Sequence, residues 1–492
     1  MRRTSAAPLA RLVALCSCFL GACATTEPPP EAPRPEAEAA EAPDPLPETL
    51  DHQTSEYLAQ FGRHWPAFRF HGAIMVARGD EVGVDRAYGS AHLVDGVDNE
   101  TTTRFRLGTL SAPLTAVVVL RLAEEGKLSL DDHIDQWLPE VARAQDITVE
   151  HLLSHRSGLP SFSDSIVFGV WKKASHPPTE TMQLVQGNAP EIEPGSEVWP
   201  SNTNYLLLGI IAEKVTGETF GQLATRLVIE PAAMTSTTYG GDAGVARGMQ
   251  FNDAETLDLV GDVHPLNFGA SGAFVSTTGD VHRFMRALAR GDLLQEASRD
   301  LLFGRTPEDP GYGFVPDIRF GRRVLTWPGL IDGFNGTLAY YPQDDTTVVV
   351  LANSEVVPTS LLAATIGGLV YGEEAPAWEE ARPAPVPLDE QVPWVGRYEL
   401  TDASANELAQ FGDPQTVADL RRISVVDAGD HLVLDVPNHA RRRMHPLAAD
   451  HYFFKDVGGT TARAQLGVDG VRRLTLQQRG GPPMKFALAS AG

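Results

Sequence analysis

The period of the hydrophobic pattern changes several times along the chain, and each change marks an element. Leu50 to Phe61 reads as a helix. Phe70 to Arg78 is a near-continuous apolar run, which predicts a buried strand, and Gly79-Asp80 turns it into a second strand over Val82 to Tyr88. The run Val117 to Leu122, apolar but for Arg121, predicts a buried helix. Pro113 belongs in a first helical turn, so that helix should start near Ser111, and Gly126 suits its left-handed cap. Thr148 caps a short helix that Gly158 and Pro160 end. Asp280 to Ala289 is amphipathic. Late strands follow around Val324 to Trp327, Gly336 to Tyr341 and Thr346 to Ala352, and Leu361 to Val370 is a closing helix. Beyond a Pro/Ala/Glu-rich stretch, Glu373 to Pro387, the period drops to two. Val395 to Leu400, Ile423 to Val425, Leu432 to Val436 and Leu474 to Leu476 read as strands. Ala428-Gly429-Asp430 signals a hairpin turn, and Val468-Asp469-Gly470 precedes the last of these strands.

Composition alters this picture mainly at the N-terminus. Arg2 and Arg3 precede a short apolar stretch, Leu9 to Leu20, with the form of a secretory signal and too few residues for a transmembrane span. It ends in Leu20-Gly21-Ala22-Cys23, a pattern similar to a bacterial lipobox, in which the cysteine carries lipid after cleavage. All three cysteines lie in this segment, so the exported domains are expected to hold neither a disulfide nor a thiol nucleophile. Ala24 to Pro47 is rich in Pro, Glu and Ala. Such a segment does not bury enough apolar surface to fold, and at about 3.1 Å per residue it can reach roughly 70 Å as a tether. The net charge of −24 argues against a nucleic-acid partner. The expected partners are instead a membrane, through the lipid anchor, and an envelope peptide or protein. Localisation is expected at the bacterial cell envelope. Ala24 in place of an aspartate after Cys23 points to the outer membrane, on its periplasmic or surface side.

The candidate chemistry lies in Phe105-Arg106-Leu107-Gly108-Thr109-Leu110-Ser111-Ala112 and in Ile147-Thr148-Val149-Glu150-His151-Leu152-Leu153-Ser154-His155-Arg156-Ser157-Gly158-Leu159. The first resembles the nucleophile segment Phe-Arg-Ile-Gly-Ser-x-x-Lys of the serine β-lactamase and penicillin-binding-protein superfamily, in its class C and D,D-peptidase-related branch. The second resembles that family's Ile-Thr-x-x-His-Leu-Leu-x-His-x-Ser-Gly-Leu almost residue for residue. Asn202-Thr203-Asn204-Tyr205-Leu206-Leu207-Leu208-Gly209 continues the likeness, which covers roughly residues 50 to 372. The resemblance implies an α+β fold: a β-lactamase/transpeptidase-like domain with an antiparallel sheet flanked by helices and a helical subdomain. The opening Val395-Gly396-Arg397-Tyr398 is similar to the small β-barrel domain often appended to this family. The expected layout is a signal over 1–22, the lipidated cysteine and tether over 23–47, the β-lactamase-related domain over 48–372, a linker over 373–388 and an all-β domain over 389–492.

Acyl transfer needs a nucleophile, a base and an oxyanion hole. By the resemblance, Thr109 stands where the serine belongs and Ala112 where the lysine belongs. Pro200, ahead of the retained Asn202, replaces the tyrosine of Tyr-x-Asn. Trp327, two residues before the retained Gly329, replaces the cation or imidazole of Lys-Thr-Gly or His-x-Gly and should narrow the pocket. The backbone N–H groups of Thr109 and near Leu330 are the implied oxyanion donors. None of Lys127, Lys172, Lys173, Lys214, Lys455 and Lys485 completes a Ser-x-x-Lys, and the chain has no Gly-x-Ser-x-Gly elbow. His151 and His155 are four residues apart, but no glutamate follows His151, so a zinc-protease pattern fails; no metal and no cofactor is expected. A Ser-His type pairing of His155 with Thr109 or Ser111 is the remaining route to a base.

Losing one general base costs a factor of about 10² to 10⁴, and here both proton carriers and the preferred nucleophile are absent together. The reading is an envelope lipoprotein of serine-hydrolase fold, catalytically inactive, that binds or scaffolds. The alternative is an envelope esterase or peptidase using a non-standard nucleophile and base. A third possibility is a purely structural tether whose pocket is filled by side chains such as Trp327.

Overall fold

The computed structural model describes residues 45–64, 69–164, 168–241, 243–251, 257–260, 263–304, 311–375, 392–402, 404–405, 420–429, 431–436, 442–448, 451–453, 461–466, 471–477 and 484–489. Cys23, the signal, the tether up to Asp44, most of the second linker and Val468-Asp469-Gly470 lie outside them.

The central sheet forms because a few strands carry apolar residues on both faces. β1 (Gly72–Arg78) is buried along its whole length and pairs antiparallel with β2 (Glu81–Tyr88). The C-terminal strands of the domain are β3 (Val315–Arg319), β4 (Arg322–Ile331), β5 (Phe334–Tyr341) and β6 (Thr346–Ala352). β6 returns to pair with β1, Gly72 opposite Ala352 and Ile74 opposite Val350, which gives the antiparallel order β3-β4-β5-β6-β1-β2. Alternate residues of β1 serve two different cores. Ile74 and Val76 pack with α1 (Leu50–His64) and the closing helix near Leu362 and Ile366. Ala73, Met75 and Ala77 join the larger core on the other face, which holds the central helices.

Chief among these is α2 (Ala112–Glu124), in which every residue from Ala112 to Leu122 except Arg121 is buried. It starts one residue after Ser111, with Pro113 in its first turn, where a missing N–H costs nothing. A 3₁₀ turn, Gly108–Ser111, precedes it, and Gly126 follows with positive φ. α3 (Val149–Leu153) is capped by Thr148, whose hydroxyl accepts the His151 N–H while His151 Nδ1 accepts the Thr148 N–H. His151 is thus turned onto its own helix. α4 (Asn202–Thr216) begins at the Ser201 cap, α5 (Thr278–Arg290) supplies the amphipathic helix, and α6 (Thr359–Val370) closes the domain.

Eight strands between Gly396 and Leu488 form a closed antiparallel barrel filled by its own core, including Tyr398, Leu434, Met444, Leu474 and Phe486. The strands expected at 395–400, 423–425, 432–436 and 474–476 fall within it. The fold class is therefore α+β with an all-β C-terminal domain. Two strands gave weak signals in the sequence. β3 carries charges at Asp317 and Arg319 that hide its alternation, and β4 runs through Pro328 and Gly329, residues that normally interrupt strands.

Candidate functional site

The 3₁₀ turn lies flat against β4, and two glycines set that distance. A β-carbon at Gly329 would stand 2.5 Å from the Leu107 carbonyl oxygen and 2.6 Å from Leu110 Cβ. One at Gly108, whose φ is +52°, would stand 2.4 Å from the Leu330 oxygen. Neither position accepts a side chain without moving backbone. The retention of Gly329 thus follows from packing alone.

This close approach brings Thr109 onto the edge of β4. Its hydroxyl donates to the Pro328 carbonyl at 3.2 Å and accepts the Leu330 N–H at 3.1 Å. The Thr109 carbonyl in turn accepts from the indole N–H of Trp327. The Leu330 N–H, expected to remain as an oxyanion donor, is therefore occupied by the very hydroxyl that would attack. Thr109 is tied to β4 on both sides.

Ala112, one turn further on, is buried and contributes only a methyl to the cavity wall. Pro200 lies on the same wall and offers neither acid nor base. Asn202 opens α4, where its side-chain NH₂ donates to Ser163 Oγ at 2.9 Å and its backbone N–H to Ser161 Oγ at 3.2 Å. The two serine hydroxyls are 2.8 Å apart. The sequence reading missed this Ser161–Ser163–Asn202 triangle. The alternation Ser161-Phe162-Ser163, with Phe162 fully buried, is the signal that both serines share a face.

His155 does not pair with Thr109 or Ser111. Its Nδ1 accepts the Ser201 N–H at 3.3 Å and the Asn204 amide at 3.0 Å, which places the remaining proton on Nε2. Its ring lies parallel to Trp327, 8° between planes, with centroids 6.5 Å apart. Burial pushes its imidazole down to about 4. Ser111 is fully buried, and its Oγ accepts the Phe274 N–H. The Ser-His pairing that remained open does not form: the His155 ring lies parallel to Trp327 and Asn204 engages its Nδ1.

Thr109, Ser163 and Asn202 border two cavities. One, about 430 Å³, is lined by Ala112, His155, Pro200, Tyr205, Phe314 and Trp327 among others. The second, about 610 Å³, is more polar: Lys172 is ion-paired with Asp332 there, and Glu355 lies on its wall. Burial raises the Glu355 carboxyl above the usual range. Trp327 lines the first cavity without filling it, and the cleft at Asn202 is open with polar groups on its walls.

The same frame recurs in proteins of known type. A family model described as Beta-lactamase matches residues 67–372. Penicillin-binding protein 4* of Bacillus subtilis (strain 168) is 25% identical over 447 residues, spanning 84% of this chain and 94% of that protein. The crystal structure of a penicillin-binding protein from Bacillus halodurans superposes with a TM-score of 0.54 at 26% identity, over 61% of this chain and 94% of that one. The octameric penicillin-binding protein homologue from Pyrococcus abyssi shares the fold at a TM-score of 0.59 and 19% identity, over 88% of this chain and 99% of that one. A family match over more than half of the sequence, on a sheet and helix arrangement that solved members share, makes this chain a member of the beta-lactamase family.

Proposed function

We propose that this family member is catalytically silent and uses its cleft to bind rather than to turn over a ligand. The observation that carries this reading is the state of Thr109, whose hydroxyl spans from the Pro328 carbonyl to the Leu330 N–H. A nucleophilic hydroxyl needs a base to take its proton, and that proton is directed at a peptide carbonyl, which is no base at neutral pH. Ala112, Pro200 and Trp327 supply no proton acceptor at the positions where the resemblance calls for lysine, tyrosine and a cation or imidazole. The loss is threefold and independent, so no single reversion restores a relay.

The cleft nevertheless persists, with its Asn202 amide and flanking cavities, and a binding or scaffolding role in the cell envelope follows. In this reading Cys23 carries lipid, residues 24–44 tether the domain to a membrane, and the partner is an envelope peptide or protein. The tether is shorter than the expected 24–47, because Leu46 is buried in the domain core and its N–H donates to Glu81. Steady-state hydrolysis of ester and D,D-peptide substrates tests the reading. No turnover above a Thr109→Ala control is expected. Turnover that the control abolishes overturns the proposal in favour of an envelope esterase or peptidase with a non-standard site.

A further inference from the structure

The two cavities bordering Thr109 differ in kind. The larger carries an ion pair and a second carboxyl. Among the described residues lining the smaller, none bears a formal charge, and the titratable side chains are His155 and Tyr205. Both are neutral. His155 accepts an N–H at Nδ1, as a neutral imidazole does, and burial raises the Tyr205 hydroxyl far above its ordinary value.

Several donors on that wall are turned inward, although the His155 Nε2–H and the Ser161–Ser163–Asn202 group also line it. Thr109 donates to the Pro328 carbonyl, Ser154 to the Glu150 carbonyl at 2.9 Å and Ser271 to the Phe268 carbonyl at 2.6 Å. Tyr205 donates to the Leu153 carbonyl at 3.0 Å, and the Trp327 indole to the Thr109 carbonyl. An anion entering this cavity would lose its water and meet no cation, only neutral donors, which is unfavourable. An apolar group would cover the rings of Trp327 and Phe314 at no such cost. Val198, 46% exposed, extends the apolar surface to the cavity rim. A volume of about 430 Å³ falls in the range of small-molecule sites.

We infer that the cavity of Ala112, Phe314 and Trp327 is a binding site for an uncharged, predominantly apolar small molecule of aryl or short-acyl type, and that it rejects carboxylates. The inference rests on the silent-site reading, because it treats the Thr109 hydroxyl as wall rather than nucleophile. It goes further in naming the ligand's chemistry.

Two fluorescent probes with nearly the same rings test it on the full chain. N-phenyl-1-naphthylamine is neutral, and 1-anilinonaphthalene-8-sulfonate is the same skeleton with a sulfonate. The neutral probe should bind saturably at one site, at least tenfold more tightly than the sulfonate. Val198→Arg, at an exposed position that leaves the fold intact, should weaken the neutral probe at least fivefold and tighten the sulfonate. Val198→Glu should weaken both. Equal or tighter sulfonate binding to the unmodified protein overturns the inference, and so does neutral-probe binding that neither variant changes, which would place the probe elsewhere. Ester or peptide turnover measured separately would defeat the silent-site reading whatever the probe ratio. A wrong probe ratio without turnover defeats this inference alone.

Discussion

Replacing Thr109 by valine asks directly whether its hydroxyl is held for structure or for chemistry. Valine keeps the β-branch and hence the restricted side-chain rotamer, so the change removes only the two hydrogen bonds. These are 3.2 Å to the Pro328 carbonyl, longer than a usual O–H···O bond, and 3.1 Å from the Leu330 N–H, toward the long end of the N–H···O range. Each such bond contributes about 0.5–1.5 kcal/mol net. Leu330 is 58% exposed, so water can reach the freed groups and the lower half of that range applies. The expected loss is about 1 kcal/mol, read as a lowered midpoint in urea at unchanged slope. Thr109→Ser keeps both bonds and should lose less. A hydroxyl poised for attack behaves in the opposite way, because functional groups are commonly held at a cost to stability. A valine variant as stable as the parent, or more stable, would refute the assignment of Thr109 to the wall of the cleft.

Three further outcomes follow from the same geometry. Gly329→Ala forces a methyl to within 2.5 Å of a backbone carbonyl and should cost about 1–3 kcal/mol, whereas Gly187→Ala, with nothing within 4 Å, should cost nothing measurable in the same denaturation assay. His155 and His282 are both held down to about 4 by burial, and His282 also by the Arg286 charge, with Asp80 opposing and Arg283 and Arg290 adding slightly to it. The unfolded chain takes up these protons as pH falls below about 6.5 and the native protein only near 4, so stability should fall between pH 7 and pH 5 by roughly 1–2 kcal/mol per histidine. His282→Phe should reduce that loss; an unchanged pH slope would contradict the assignment. Cys23→Ser should abolish incorporation of labelled palmitate and release the protein from the membrane fraction; retention of both would show that Cys23 is not the anchor.

Much of the fold could be read from the chain because its strongest signals are local. The largely apolar run of α2, the near-continuous apolar run of β1 and β6, and the Thr148 cap each follow from neighbouring residues, and the family resemblance joined them into one topology. Helix ends moved by two or three residues, as in α1, which runs on to His64. Charged positions on β3 concealed a strand. Thr109, Ala112, Pro200, Asn202 and Trp327, singled out through the three degraded motifs, line one cavity. What those residues do there was not legible. The pair of hydrogen bonds from Thr109 to β4 joins positions 219 and 221 residues apart. It depends on the close approach that Gly108 and Gly329 allow together, a distance that no local pattern encodes. The same holds for His155, whose spacing from His151 suggested a shared face. His151 turned onto its own N-terminus, and Asn204, Ser201 and Trp327 took up His155.

The central claim is that Thr109 does not accept an acyl group, and intact-mass spectrometry tests it most directly. The full chain would be incubated with a penicillin and, separately, with a fluorophosphonate at high excess. An unmodified mass is expected under both conditions. A stoichiometric adduct that disappears in Thr109→Ala would contradict it.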